Sequence, residues 1–425
     1  MTVVIFLGSL LGSMAIGVPI AFSLIVCGVA LMLYLGMFDA QIISQNLVSG
    51  ADSFQLLAIP FFLVAGEFMN AGGLSRRIVD LATALVGHFR GGLGYVAILA
   101  AIVMASMSGS AVADTAAVGA MLIPMMRKAG YDVNRSSGLI AAGGIIAPII
   151  PPSIPFIIFG VTAGVSVKKL FMAGIVPGLM MAVFLVAAWW LVTRHDPVPV
   201  APRQPLRVIG KRLVDGIWAL MIPVLIIVGI KEGIFTPTEA GVVAAVYALF
   251  VGMFVYRELK PAQLYPLLLA AGRTTAVVMF LVAAAGVAAW LITIADLPQT
   301  VIGILEPLID QPILLMVVIM VIVVIVGTAL DLVPTILILT PVLMPVITQA
   351  GIDPVYFGVL FIMNNAIGLI TPPVGTVLNV ICGVSRISMD DVVRGIWPFL
   401  LAHILLLALL TLFPSLVLVP MTWFM

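Results

Sequence analysis

Asp114, in SMSGSAVADT, and Asp331, in GTALDLVP, are carboxylates set in otherwise apolar sequence. Around them, hydroxyl and amide side chains gather at four short segments that also carry glycine or proline. These are Ser106–Thr115, Ala147–Pro155 (APIIPPSIP), Gly327–Asp331 and Asn364–Asn379 (NNAIGLITPPVGTVLN). Proline removes a backbone donor and glycine permits close approach, so each segment is expected to interrupt a helix and free carbonyl oxygens. Free carbonyls with Ser, Thr and Asn oxygens suit a hard cation such as sodium. Half-helix N-termini at the same interruptions present amides and a positive dipole end, which suit a carboxylate.

The elements that must position these groups are transmembrane helices. Of 425 residues, 63% are hydrophobic and 9% charged, with a mean hydropathy of +1.30. A soluble domain carries roughly a quarter charged residues. Apolar runs recur at Thr2–Phe38, Tyr95–Met126, Leu170–Val192, Leu213–Ile230, Ala240–Tyr256, Thr275–Ala295, Ile313–Leu330 and Ile396–Met425. A spanning helix needs about 20 such residues, whereas barrel strands are about ten long and alternate in polarity. The chain therefore reads as an all-α polytopic membrane protein. The first run fits one tilted helix or two joined near Gly17-Val18-Pro19, and it lacks the basic start and small-residue site of a removable signal. A net charge of +1 gives no reason to expect nucleic acid as a partner. Cys27 and Cys382 have no CxxC spacing, and His88, His195 and His403 are isolated. No phosphate-binding GxxxxGK[ST] loop occurs, which argues against a primary pump.

The chain divides into two related halves. Pro124, Ala129, Gly130, Asp132, Pro151 and Pro152 match Pro345, Ala350, Gly351, Asp353, Pro372 and Pro373 at one offset, 345 − 124 = 221. Between the halves lies the basic, proline-rich stretch RHDPVPVAPRQPLRVIGKRLVD, placed in the cytoplasm by the positive-inside rule. The expected division is residues 1–194, a linker at 195–212, and residues 213–425. Each half is expected to hold a re-entrant hairpin (95–128 and 313–348) and a broken helix (136–165 and 355–384). Basic flanks on the first hairpin (Arg90, Arg127, Lys128) and acidic ones on the second (Asp310, Asp353) indicate inverted repeats, with Lys168-Lys169 and Asp390-Asp391 on the wrong sides for that topology.

Paired interrupted helices in corresponding positions of two halves mark a transport site. Asp114 and Asp331 fall in equivalent places just after the two hairpin tips, allowing a small slip. Each either caps the following helix or serves substrate and ion coupling, and Asp331 is the stronger candidate for the second role. Serine and threonine in membrane helices commonly bond back to their own backbone, a reading that weakens for a cluster flanking Gly and Pro breaks. Asn364-Asn365 fits either the site or helix packing. Glu67 fits an ion pair with Arg76 or Arg77.

AIPFFLVAGEFMNAGGLSRR, the SGSAVAD tip, IIPPSIP, and GTALDLVPTILILTPVLMP followed by GLITPPVGTVLNV together resemble the large membrane subunit of TRAP (tripartite ATP-independent periplasmic) transporters, over essentially the whole chain. That family includes sialic acid and C4-dicarboxylate uptake systems. The resemblance implies an elevator-type architecture in a bacterial inner membrane, driven by sodium ions, without an organic cofactor. It implies a small four-helix membrane subunit and a soluble periplasmic substrate-binding protein as partners. Met1 opens directly onto the first apolar run, so the small subunit is expected to be a separate chain. Carried onto this sequence, the resemblance places Ser110, Asp114, Ser153, Asp331, Thr376 and Asn379 around the substrate anion. Ser106, Ser108, Gly109, Gly144, Pro148, Gly327, Thr328, Asn365, Gly368 and Thr371 are then the expected sodium-site positions.

Two rivals are a single-component sodium/dicarboxylate symporter of the same architecture and, remotely, an intramembrane aspartyl protease. The protease needs two aspartates sharing a proton, and its GxGD sequence is absent, the contexts here being AVAD and TALD.

Overall fold

Proline and glycine punctuate the apolar sequence into helices, and no strand occurs among the described residues, 1–196 and 200–425 of a computed structural model. The first half contains α1 (Thr2–Ala15), α2 (Ile20–Tyr34), α3 (Ala40–Ala51), α4 (Ala58–Ala71), α5 (Leu74–Val86), α6 (Gly92–Ser108), α7 (Ala111–Lys128), α8 (Val133–Gly144), α9 (Ile154–Ala163) and α10 (Val167–Thr193). The second half contains α11 (Leu206–Lys231), α12 (Pro237–Phe250), α13 (Pro261–Ile294), α14 (Leu297–Ile309), α15 (Pro312–Ala329), α16 (Leu332–Gln349), α17 (Pro354–Gly368), α18 (Thr376–Ser385), α19 (Met389–Leu412) and α20 (Ser415–Trp423). Among the described residues, eight helical stretches are long and apolar enough to cross a membrane.

The internal repeat is visible in the packing. α2 lies on α13 and its counterpart α12 lies on α4. α7 packs on α18, and the equivalent α16 packs on α9. The halves thus interlock, each completing the other.

Their inversion follows from the contacts at the hairpin bases. The Arg90 guanidinium donates to the Asp196 carbonyl at 2.8 Å, and Arg135 pairs with the Asp196 carboxylate at 2.9 Å. Tyr131 stacks on Trp189 near the end of α10, with ring centroids 6.2 Å apart. The α6–α7 hairpin therefore opens on the face that carries the linker. α10, 27 residues and about 40 Å long at 1.5 Å per residue, leads from there to the opposite face. At that face Lys168 Nζ donates to the Lys231 carbonyl at the end of α11, 3.0 Å away. Just past the α15–α16 hairpin, the Tyr356 hydroxyl donates to the Leu410 carbonyl at the far end of α19, 3.0 Å away. α19 starts on the linker face, where Gly395 abuts the Asn134 backbone, so the second hairpin opens on the opposite face. Lys168-Lys169 and Asp390-Asp391 stand on the sides that charge counting disfavours. Hairpin packing outweighs a pair of surface charges.

Several expected boundaries shift. The first apolar run is two helices, because Gly17 takes a left-handed φ of 89° and Pro19 caps α2. α11 begins at Leu206, so the expected linker is helical over 206–212; its residues 197–199 lie outside the described residues. The breaks are also narrower than the polar segments that announce them. The hairpin tips are only Gly109–Ser110 and Leu330–Asp331, since hydroxyls bonded to the preceding turn carry α6 and α15 almost to the tip. The second broken helix is open only from Leu369 to Gly375, leaving Asn364 and Asn365 inside α17 and Thr376 and Asn379 inside α18.

Candidate functional site

Four helices begin at the interruptions: α7 capped by Ser110, α9 by Ser153, α16 by Asp331 and α18 by Gly375. Contacts link them in a closed ring. At the first tip Gly109, with φ 62°, stands so close to the Pro152 carbonyl and the Ser153 backbone that a side chain there would overlap them. At the second tip the Thr328 carbonyl accepts from Gly375 N–H at 3.4 Å. α7 on α18 and α16 on α9 close the circuit. Each N-terminus leaves amides without intrahelical partners and carries the positive end of its dipole. An anion bordered by four such ends needs no buried arginine.

The capping hydroxyls are fixed by local bonds. Ser110 Oγ accepts from Ala113 N–H at 3.3 Å, and Ser153 Oγ accepts from Phe156 N–H at 3.2 Å while donating to the Pro148 carbonyl at 2.5 Å. The Asp331 carboxylate lies beside the Leu332 amide and the Thr376 hydroxyl but closes no side-chain cap bond. Asp331, Val374 and Asn379 are exposed, whereas the whole first break is buried, so the ring opens on the side of the second tip.

Of the buried side-chain oxygens without a partner, which include those of Ser137, Thr340 and Thr376, three stand at two places beside the ring. In the first, Asp114 is buried; Ser108 Oγ donates to its Oδ1 at 2.5 Å, while its Oδ2 has no partner. The neighbouring Thr115 Oγ1 is equally unpartnered and fills the space a side chain at Gly144 would need. In the second, buried Asn365 donates through Nδ2 to the Leu332 carbonyl at 3.3 Å, and its Oδ1 is left without a partner over Gly327. Gly368 packs on the Gly327 backbone. Gly144 and Asn365 occupy the same place in the two repeats (365 − 144 = 221). Both lie in the last turn of a half-helix, where turn-type bonds occupy the carbonyls of Gly143, Gly144, Asn365 and Gly368 and leave each a second lone pair. Buried polar groups without partners are rare and call for an explanation. An oxygen-only set beside carbonyls that keep a second lone pair fits a hard monovalent cation.

The other expected positions divide between these places. Ser106, Thr328 and Thr371 donate to the carbonyls of Val103, Ile325 and Ile367. That is the back-bonding reading, although each hydroxyl oxygen keeps its lone pairs. The Pro148 carbonyl already accepts from Ser153, and exposed Asn379 bonds weakly to the Val374 carbonyl at 3.4 Å. Asn364 is packing glue, donating to the Met320 carbonyl on α15 at 2.5 Å.

Two expectations are corrected. Asp114 and Asp331 are not equivalent: Asp331 matches Ser110 as an N-cap (331 − 110 = 221), and Asp114 sits four residues further along its helix. The repeat preserves the N-cap position, not the residue type or its cap bond. Glu67 makes no ion pair among the described residues; Arg77 pairs instead with Glu258 at 2.8 Å because the chain returns there after α12. Thr115, the last residue of the first polar segment, is not among the expected site positions. A further signal for it is the glycine at 144 where the other repeat has Asn365.

The chain matches the family model described as "Tripartite ATP-independent periplasmic transporter, DctM component" over residues 7–416. It is 61% identical, over the full length of both chains, to the 2,3-diketo-L-gulonate TRAP transporter large permease protein YiaN of Escherichia coli (strain K12). It is 38% identical to the sialic acid TRAP transporter large permease protein SiaM of Vibrio cholerae, covering 95% of each. Its fold is similar to the crystal structure of the Alcanivorax borkumensis YdaH transporter, with a TM-score of 0.62 over 88% of this chain and 89% of that one, at 16% identity.

Proposed function

Because the chain belongs to the tripartite ATP-independent periplasmic transporter family, as its DctM component, we propose that it is the permease of a sodium-driven, binding-protein-dependent importer of a small sugar acid. It is a multi-pass protein of the bacterial inner membrane that carries organic acids and is not an enzyme. The observation that carries the anion reading is the ring of four half-helix N-termini, which offers dipoles and hydroxyls to a carboxylate. Asp331 and Thr376 beside it suit the hydroxyls of a sugar acid. Identity of 61% to a 2,3-diketo-L-gulonate permease, against 38% to a sialic acid permease, favours a six-carbon acid over sialic acid.

Sodium coupling is supported by the orphan oxygens of Asp114, Thr115 and Asn365. An elevator movement is supported by an asymmetry between the repeats. α6, the first arm of its hairpin, leans on α4 and α5, whereas in the other repeat the second arm, α16, leans on α13 and α14. A pair of inverted repeats at the midpoint of a slide would use the same arm. A small four-helix membrane subunit and a periplasmic binding protein are the expected partners, in keeping with a tripartite family and with relatives named large permease proteins.

The test is uptake into proteoliposomes holding this chain and its small subunit, with labelled 2,3-diketo-L-gulonate, sialic acid and a C4-dicarboxylate. Each substrate is run with and without an inward sodium gradient and the binding protein. Uptake of the sugar acid that needs both is the expected result. Uptake indifferent to the binding protein favours a single-component symporter, and uptake indifferent to sodium removes the cation sites.

A further inference from the structure

On the linker face, α5, the start of α11 and the turn after α12 enclose a polar cavity of about 490 Å³. Its walls are held by internal bonds. Arg77 pairs with Glu258 at 2.8 Å and lies 3.6 Å above the centre of the Tyr256 ring, while Arg212 pairs with Asp80 at 2.8 Å. The Tyr256 hydroxyl donates to the Asp215 carbonyl at 2.6 Å. With those cations engaged, Arg76 and Lys211 line the same cavity, exposed and without a salt bridge among the described residues; the half-buried Asp215 is the one acidic group lining it that also has no salt bridge among them. The cavity thus keeps one unit of uncompensated positive charge (two cations less one anion).

A second feature adjoins it. From the cavity along α11 runs an exposed apolar stripe, Val214, Ile217, Met221, Val224 and Val228, at helical spacing. Trp218, at the junction, is exposed as well, and tryptophan favours the level of lipid headgroups. A polar cationic cup at the end of an apolar stripe matches one amphiphile: a phosphate-bearing headgroup with its acyl chains laid along the helix. Basic pockets between helices on the cytoplasmic side suit anionic lipid headgroups.

We infer that this cavity binds the phosphate headgroup of an anionic phospholipid, with Arg76 and Lys211 as its ligands and the α11 stripe as the bed for the acyl chains. The site lies between α5 and α11, away from the ring of N-termini.

The experiment uses the full chain, delipidated in a neutral detergent. Its Tm and lipid adducts by native mass spectrometry are measured with phosphatidylglycerol, with phosphatidylcholine of the same chains, and with inorganic phosphate. Phosphatidylglycerol is expected to raise Tm and persist as a bound adduct, with the other two doing neither. The double variant Arg76→Gln/Lys211→Gln should bind phosphatidylglycerol about tenfold or more weakly, since each basic group near a lipid surface contributes several-fold. Arg76→Lys/Lys211→Arg, which keeps the charge and guards against misfolding, should retain binding. Equal stabilisation by phosphatidylcholine, an unchanged double variant, or full reproduction of the effect by inorganic phosphate would each overturn the assignment. So would loss of phosphatidylglycerol binding when the small subunit is added, which would make this face a protein interface.

Discussion

Thr115 Oγ1 occupies the space that a side chain at Gly144 would need, and that hydroxyl has no hydrogen-bond partner although it is fully buried. The contact has two possible meanings that one pair of variants separates. Gly144→Ala must push Thr115 aside, and such overpacking costs about 1–3 kcal/mol. If the contact is purely steric, adding Thr115→Ala should restore both Tm and uptake. The cation reading expects the double variant to regain Tm while its sodium-stimulated uptake stays at least tenfold down. Thermal unfolding and proteoliposome uptake on the same preparations decide between them.

Asn365 offers the corresponding test in the other repeat. A ligand that binds only the folded state stabilises it by mass action, about 2.7 kcal/mol at one hundred times its Kd. Sodium should therefore raise the Tm of the parent chain above its value in potassium. Asn365→Ala keeps a small residue over Gly327 but removes the orphan Oδ1. Its Tm should respond to sodium by about half as much as the parent. A full sodium response in this variant would remove Asn365 from the cation site.

These two positions also show how far the sequence carries the structure. Helix breakers at one offset place both hairpins and both broken helices to within a few residues, because proline and glycine act on the local backbone. The offset that aligns Pro151 with Pro372 also aligns Gly144 with Asn365 and Ser110 with Asp331, so the register of the site was open to reading. What stayed hidden depends on contacts between distant segments. Thr115 meets Gly144 only when α7 lies on α8, and Arg77 finds Glu258 only when the chain returns past α12. The short helices α3, α5 and α14 escaped for another reason. Polar residues interrupt them or they fall short of a span, so a search for apolar runs passes over them.

Asp114 and Asp331, four residues out of register, should respond differently to the same change. Asp331→Asn removes a charged acceptor at an exposed N-cap beside Thr376. Substrate KM should rise about tenfold, about 1.4 kcal/mol of lost binding, with little effect on Tm. Asp114→Asn keeps an oxygen for the Ser108 hydroxyl, so the fold should persist while the sodium concentration for half-maximal uptake rises. Asp114→Leu leaves that hydroxyl without an acceptor, a cost of about 1–3 kcal/mol. Concentration series in substrate and in sodium separate the roles; equal effects of the two Asn variants on both would contradict them.

The inverted arrangement itself has a direct test. The base of the first hairpin is tied to the linker through Arg90 and Asp196, and the base of the second adjoins the far end of α19 through Tyr356 and Leu410. Lys128 and Gln349 close the two hairpins and are both exposed. In a background carrying Cys27→Ala and Cys382→Ala, Lys128→Cys and Gln349→Cys are treated in intact cells with a maleimide that does not cross the inner membrane. Gln349→Cys should label at once, and Lys128→Cys only after permeabilisation. The positive-inside rule places the linker in the cytoplasm, so the reverse pattern would turn the whole molecule over without disturbing the repeat. Labelling of both from one side would break the inversion, because two parallel hairpins cannot have α7 on α18 and α16 on α9 with their bases on opposite faces.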